Sequence, residues 1–511
     1  MKKFCSIAAL VIVPSAVAFQ NTDAPTFRST TRLIQVTVIA SDKDGNPVTD
    51  LGKEDFELLE DGQRQNVAVF IPDRDRIVIR PALPRNEFNN QLPAANSARS
   101  GYALILIDWR NSSMSGRINS RQQVLRLLQQ MATSDLVALC VLDRDLRVVQ
   151  DFTSDREELV RRLSATFVGL AEGPHKRSAA EDSSVAPVSR EVERNPIADR
   201  AEAMNIGIQV RQRSLDTIAA LEQVASYLRS APGRKSMIWL TSGFPAAPAF
   251  KAAINRMSQR FNDADIAVYP VDARGFIAGA GVRAFSSAAD LAGINQAMMK
   301  EIADKTGGRA FYNDNDLENA MRGALDDARF SYTLGYYPTN SKKDGAYRNL
   351  SVKTSRPGVT LRYRTGYEAE NDRKPKAAAK IDLQQLFGSP LDATALPLNA
   401  HAVKANNKLD VFLRIEPSSL TLREENGRRK GAVSVFYSFR PGDAIGKIQI
   451  FSELYKLAMP EAQYAELLLH GQRTFRKQIP IPEKAEALRL AVRDEESGLV
   501  GSVTIPLSAV Q

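Results

Sequence analysis

The sequence predicts a chain of mixed class: an α/β domain inserted between the strands of a small β-sandwich, followed by a second, sandwich-like β domain. Three observations predict it. Between residues 101 and 329, short uncharged runs (Tyr102–Ile107, Leu136–Leu142, Ser236–Thr241) alternate with stretches of helical periodicity. That alternation marks strands buried on both faces of an open, mostly parallel sheet, with helices covering it. On either side, residues 31–72 and 330–370 are rich in strand-forming residues but too short to bury a core alone, so they are read as two halves of one sandwich. From about residue 385 to 511 the pattern is β again.

A chain of 511 residues holds about two to four domains. Its 68 basic and 59 acidic residues leave a formal charge of +9, spread along the chain. No basic stripe interleaved with aromatics appears, which argues against a nucleic-acid partner. Residues 1–18 carry Lys2 and Lys3, an apolar stretch from Phe4 to Pro14, and Ala16-Val17-Ala18. This is the pattern of a secretory signal peptide cut after Ala18, which implies export to the periplasm, the cell surface or the medium. No run reaches the roughly eighteen apolar residues of a transmembrane helix. Cleavage leaves Cys140 as the mature chain's one cysteine. An intrachain disulfide is then excluded, and Cys140 reads as an inert core thiol.

In chain order, Leu33–Ile39, Phe56–Glu60 and Val67–Ile71 read as strands joined by turns at Asp42–Pro47 and Asp61-Gly62. Residues 73–100, rich in Pro, Asn and Arg, read as a linker with one strand at Ile77–Ile79. The α/β domain (101–329) opens with Tyr102–Asp108. A helix at about 117–132 places Val124, Leu125, Leu128 and Met131 on one stripe. Leu136–Leu142 connects through Asp143-Arg144-Asp145 to Leu146–Val149, a link so short that the two strands must be antiparallel. Thr153 or Ser154 is the cap of the next helix. A polar stretch from 172, extending to about 212, reads as a mobile insertion. A helix at about 203–229 places Leu215, Ile218, Leu221, Ala225 and Leu228 on one face.

Strands at Ser236–Thr241 and Asp265–Pro270 follow, with helices at about 251–262, 295–305 and 315–328. Gly307-Gly308 stops the second of these, and Arg309–Tyr312 makes a short edge strand, the sixth of the sheet. Tyr332–Tyr337, Arg348–Lys353 and Val359–Arg364 belong to the sandwich, and residues 371–384 form a basic, alanine-rich linker. The clearest strands beyond it are Val411–Ile415, Ala432–Phe439, Leu488–Val492 and Val500–Leu507.

The first strand of the α/β domain runs directly into a carboxylate, Asp108. Open α/β sheets bind ligands beyond the carboxyl ends of their strands, so Asp108 is the first candidate site residue. Asp108 at the end of the first strand, Thr153–Arg156 after the antiparallel strand, Thr241-Ser242-Gly243 at a later strand end, Asn262–Gly275 around the next strand and Thr306–Tyr312 before the final helix, in that order, resemble a von Willebrand factor A domain. More narrowly, Val36–Phe70, Leu334–Pro338 and Arg356–Tyr367 resemble the secreted VWFA-related acidobacterial domain family; the resemblance covers about residues 31–370.

The resemblance implies a Rossmann-like six-strand sheet and a metal-ion-dependent adhesion site. That site takes Asp-x-Ser-x-Ser from the first loop, a Thr from a second and an Asp after the fourth strand, a hard oxygen set suited to Mg²⁺. This chain departs from the pattern. Asp108 and Ser112 remain, but Arg110 replaces the first Ser and Ser242 stands where the Asp belongs. Asp108 and Ser112 are therefore expected to form an empty remnant, with no cofactor. Arg110 is expected either to pair with Asp108 or to place a fixed positive charge where the ion would sit, ready for an acidic partner.

Enzymatic chemistry has little to stand on. His175, His401 and His470 neighbour none of these strand ends, Thr241-Ser242-Gly243 lacks the context of a nucleophile elbow, and Gly307-Gly308 is not followed by a phosphate-loop Lys. The expectation is a secreted, non-enzymatic binding module. Its partner, an extracellular or envelope protein, would meet Arg110, Asn111, Ser113, Thr241 and Ser242. The alternative is an envelope scaffold; self-association through β edges fits either.

Overall fold

The computed structural model describes residues 33–72, 83–92, 101–112, 114–131, 135–172, 196–229, 231, 233–242, 250–273, 286–312, 317–369, 383–441, 449–471 and 473–511. The expected signal peptide, the strand at 77–79, Ser113 and most of the 371–384 linker lie outside them.

The chain opens with β1 (Ile34–Ser41), β2 (Phe56–Glu60), β3 (Gln63–Gln65) and β4 (Val67–Pro72). The β1–β2 connection starts as an Asx turn. The Asp42 carboxylate accepts the backbone N–H groups of Asp44 (2.9 Å) and Asn46 (2.8 Å), and Gly45 takes φ +85°. β5 (Glu87–Asn89) corrects the reading of 73–100 as linker: it pairs antiparallel with residues 399–401 as an edge strand of the last domain. Three residues between Pro and Asn carry too little periodicity to be read as a strand.

The α/β domain comprises β6 (Tyr102–Asp108), α1 (Met114–Gln130), β7 (Leu136–Leu142), β8 (Leu146–Thr153), α2 (Arg156–Glu172), α3 (Pro196–Leu228), β9 (Lys235–Thr241), α4 (Lys251–Asp263), β10 (Ile266–Asp272), α5 (Ser286–Thr306) and α6 (Leu317–Asp327). Its five strands lie in the order β10-β9-β6-β7-β8, parallel except for β8, which is antiparallel to β7. At the expected sixth position there is a single parallel bridge, Val271 to Phe311, rather than a full strand. β6 is buried throughout and its side chains alternate between two cores. Tyr102, Leu104 and Leu106 meet α3, α4 and α5; Ala103, Ile105 and Ile107 meet α1, α2 and α6. Burying each Leu or Ile there contributes about 1.5–3 kcal/mol.

Three local readings change. Asp155, not Thr153 or Ser154, caps α2: its carboxylate accepts the Glu158 N–H at 3.0 Å, while Thr153 accepts from Asp155. α3 starts at Pro196, so residues 196–212, placed in a mobile insertion, are helical; proline suits a first helical turn and the residues after it include several alanines. On α3, Leu215 is exposed whereas Ser214 and Thr217 are fully buried. The helix thus turns a polar pair toward the loop after β6.

β11 (Tyr332–Tyr336), β12 (Tyr347–Thr354), β13 (Thr360–Arg362) and β14 (Gly366–Glu368) return to the opening strands. One sheet runs β13-β1-β11-β4 and the other β14-β12-β2-β3. Between them lies a core that includes Val36, Val38, Leu58, Tyr332, Leu334 and Tyr336. Glu60, buried there, accepts the hydroxyls of Tyr336 (2.5 Å) and Tyr367 (2.9 Å). Burial and this carboxylate hold the Tyr367 hydroxyl up at about 12.

The last domain holds α7 (Leu383–Gly388), β15 (Leu398–Ala405), β16 (Lys408–Ile415), β17 (Arg423–Glu425), β18 (Arg428–Pro441), β19 (Phe451–Pro460), α8 (Glu461–His470), β20 (Arg473–Pro480), β21 (Ala485–Asp494) and β22 (Val500–Pro506). Its sheets run β20-β16-β15-β5 and β17-β18-β21-β22, with β19 along β18. The segment before β15 fastens it to the α/β domain. Thr394 donates its hydroxyl to the carbonyls of Ser226 (2.9 Å) and Tyr227 (3.0 Å) at the end of α3, and the fully buried Arg489 holds Asp392 at 3.2 Å. Among the described residues no helix is long and apolar enough to cross a membrane.

Candidate functional site

β6 is central, with β7 on one side and β9 on the other, so the connections leave it in opposite directions. A crevice opens at such a switch point, beyond the carboxyl end of the strand. Asp108 lies there, fully buried.

Its carboxylate is closed by protein donors. Oδ1 accepts the Asn111 backbone N–H (3.1 Å), and Oδ2 accepts the Asn111 amide (2.8 Å), the Thr241 hydroxyl (2.8 Å) and the Trp239 indole N–H (3.3 Å). Burial pushes the Asp108 carboxyl above its ordinary value, and the donors from Asn111, Thr241 and Trp239 pull the other way. The Asn111 amide also reaches Thr217 Oγ1 at 2.9 Å. Ser112 donates to the Asp108 carbonyl at 2.5 Å and receives the Ser242 hydroxyl at 3.4 Å. Asn111, Ser112, Thr241 and Ser242 therefore gather around Asp108, with Thr217 supplied by α3.

Arg110 corrects both of its expected roles. It turns away from Asp108 and forms an ion pair with Asp216 of α3, while its other end donates to the carbonyls of Asp143 (3.2 Å) and Arg144 (3.1 Å). Its charge is neutralised within the protein, so it is not a free cation in the place of an ion. The N–H groups of Trp109 and Arg110 both dock on the Leu142 carbonyl (2.8 and 2.9 Å), and Arg117 donates to the Trp109 carbonyl at 2.8 Å. The loop is thus fixed from β7, α1 and α3. Sequence reasoning missed Trp239, Thr217 and Asp216. A tryptophan in a buried strand needs an acceptor for its indole, and that need was the available signal.

The described residues around Asp108 are a poor ligand set for Mg²⁺. One carboxylate supplies the formal charge, both its oxygens are engaged by protein donors, and Ser242 offers a neutral hydroxyl where a second carboxylate would be required. Among the described residues, no three His, Cys, Asp or Glu side chains stand together as a metal-holding group. His401 lies far along the chain, beside Glu87 in the last domain (3.3 Å).

No family model matches this chain, and no curated protein matches it. Several solved structures are similar at low scores. An aerotolerance-related membrane protein from Bacteroides fragilis has 19% identity over 44% of this chain and 98% of its own, with a TM-score of 0.26. The manganese-loaded TRAP protein from Plasmodium vivax has 10% identity over 56% of this chain and 96% of its own, at 0.26. The ArnB paralog VWA2 from Sulfolobus acidocaldarius has 10% identity over 85% of this chain and 78% of its own, at 0.25. At these scores the likeness carries no argument.

The edge around the loop exposes apolar side chains. Met114 (50%) and Ile118 (49%) stand on the first turns of α1, directly after the loop. Met204 (71%), Ile208 (56%) and Leu215 (41%) follow at intervals of four and seven along α3, one face of the helix that supplies Asp216 and Thr217.

Proposed function

We propose that this chain is an exported, non-enzymatic binding protein built on a Rossmann-like von Willebrand factor A-like domain, inserted in a β-sandwich. It binds a protein partner through the Asp108 edge without a metal ion. The observation that carries the reading is the exposed apolar set on α1 and α3 beside a loop whose Asp108, Asn111 and Ser112 are hydrogen-bonded within the protein. Large apolar side chains exposed beside a fixed loop are characteristic of protein-binding sites. In such a site Asp108 organises the loop, and Met114, Ile118, Met204, Ile208 and Leu215 supply the contact area. Arg110 contributes through the position it gives the loop. Chemistry on a substrate would need a nucleophile and a base in reach of each other; among the described residues the hydrogen bonds of Ser112 and Ser242 run to each other and to a carbonyl.

The second reading, an envelope scaffold, draws on the three-part architecture and the long edge strand β19. One experiment separates the two. A photo-crosslinking residue is placed at Ile208 in the full chain in its native host, with a second placed at Glu483 as control. The binding reading expects one defined partner captured from position 208 and none from 483. Adducts only between copies of the chain, equal from both positions, would replace it with the scaffold.

A further inference from the structure

The end of the α/β domain opposite Asp108 rests against the first sandwich and borders an open pocket of about 180 Å³. Its wall is built from both sides: Gln35 of β1, Lys342 and Lys343 of the loop after β11, and Arg364 before β14, against Asp263 at the end of α4, with Glu368 at the rim. Arg364 decides its chemistry. One terminal nitrogen donates to the Gln35 carbonyl at 2.7 Å, and the guanidinium lies 5.7 Å from the centre of the Tyr367 ring. Its Nε is buried without a partner, and among the described residues no carboxylate comes within ion-pair distance of it.

A smaller space of about 20 Å³ adjoins, lined by the same Arg364 and by Arg234. Arg234 is buried, donates to the Gly307 carbonyl at 2.6 Å, and likewise leaves its Nε unpaired. Buried arginines are ordinarily paired with carboxylates, because desolvating a guanidinium alone is costly. Arg364 is half-buried; burial lowers its pKa, while Tyr336, Asp263 and Asp265, the last in the wall of the smaller space, act the other way.

We propose that this pocket is a binding site for a small oxyanion, a carboxylate- or phosphate-bearing solute held by Arg364 with Lys342 and Lys343. The guanidinium fork matches two oxygens of a carboxylate or phosphate, whose charge the three cations of the wall would balance. A space of about 180 Å³ has room for a free small anion. Because the walls come from two domains, an anion bound there tightens the contact between the sandwich and α4. The site is separate from the Asp108 edge and independent of what binds there.

The test uses the full mature chain, with sodium phosphate and sodium succinate as probes and sodium chloride at matched ionic strength as reference. Titration calorimetry and the thermal midpoint are read together. The expected result is saturable binding of at least one probe, with a midpoint rise beyond that in chloride. Phosphate alone would name a phosphate-type ligand and succinate alone a carboxylate. Arg364→Gln should weaken binding at least tenfold. The double variant Lys342→Gln, Lys343→Gln, in a loop tolerant of change, should weaken it severalfold and decides the matter if Arg364→Gln does not fold. No saturable binding of either probe, or unchanged affinity in a folded variant, overturns the proposal.

Discussion

Removing the Asp108 carboxylate strands its donors. In Asp108→Ala the Asn111 backbone N–H and the Trp239 indole point at a vacated position, held there by the backbone and by a fully buried ring. The Thr241 hydroxyl can rotate, and the Asn111 amide keeps Thr217 at 2.9 Å. Two stranded donors cost about 1–3 kcal/mol each. Relief from burying a carboxylate whose pKa is pushed up offsets part of this, leaving a net loss of about 2–4 kcal/mol. For a domain of this size that lowers Tm by about 4–16 °C. Asp108→Asn keeps the shape and one acceptor and should lose about half as much.

The pH dependence carries a sign. A carboxyl with a folded pKa above its unfolded value binds its proton more tightly in the folded state. Its contribution is full below the unfolded value of 3.8 and is lost as pH rises through the raised folded pKa. The deficit of Asp108→Asn should therefore be largest in acid and shrink as pH rises from about 4. The assay is differential scanning calorimetry across pH, with and without millimolar Mg²⁺. A saturable Mg²⁺-dependent rise in the wild-type midpoint, absent from Asp108→Asn, would refute the reasoning, as would a loss under about 1 kcal/mol in Asp108→Ala.

Other perturbations report on the frame around the site. Asp327→Asn weakens the bond from the Tyr269 hydroxyl (2.7 Å) and the ion pair with Arg362 across the contact with the sandwich; urea unfolding should show a loss of about 2–4 kcal/mol. Gly308→Ala would set a Cβ 2.0 Å from the Val268 carbonyl oxygen, a backbone atom that cannot yield, so a loss above about 3 kcal/mol by thermal melting is expected. Burial, with Asp151 nearby, pushes the Cys140 thiol far above its ordinary value. It should resist a thiol-reactive dye in the native protein and react at once in denaturant; rapid native labelling would contradict the packing of β7.

Much of the frame was legible because burial on both faces leaves a plain mark. Tyr102–Asp108 and Leu136–Leu142 were bounded to the residue, since an uninterrupted apolar run ends where the sheet ends. The Gly307 stop was legible from its glycine, which takes φ +74° after α5. β19, β20 and α8 were missed because their exposed faces interrupt the apolar pattern: Leu454 and Leu469 face solvent while Leu457 and Met459 are buried. At the site, Asp108 was legible from its place after a strand. The turn of Arg110 toward Asp216 was not, because it depends on how α3, roughly a hundred residues on, lies against the loop. A periodicity reading also puts Leu215 inside; the demand of Asn111 for Thr217 outweighs the burial of one leucine.

The entry and exit of the α/β domain touch: a Cβ added to Gly101 would lie 2.7 Å from that of Ala328. After Ala328 the chain enters β11 of the first sandwich, whereas the described segment before Gly101 carries β5, an edge strand of the last domain, so the α/β domain is tied to both β domains rather than strung in series. A pull applied at residues 34 and 368 is borne by the sandwich strands and bypasses the sheet that holds Asp108. The Asp108 edge would keep its shape under a load that tears at the ends of the chain, and the whole domain can be exchanged as a cassette, because its two joints already meet.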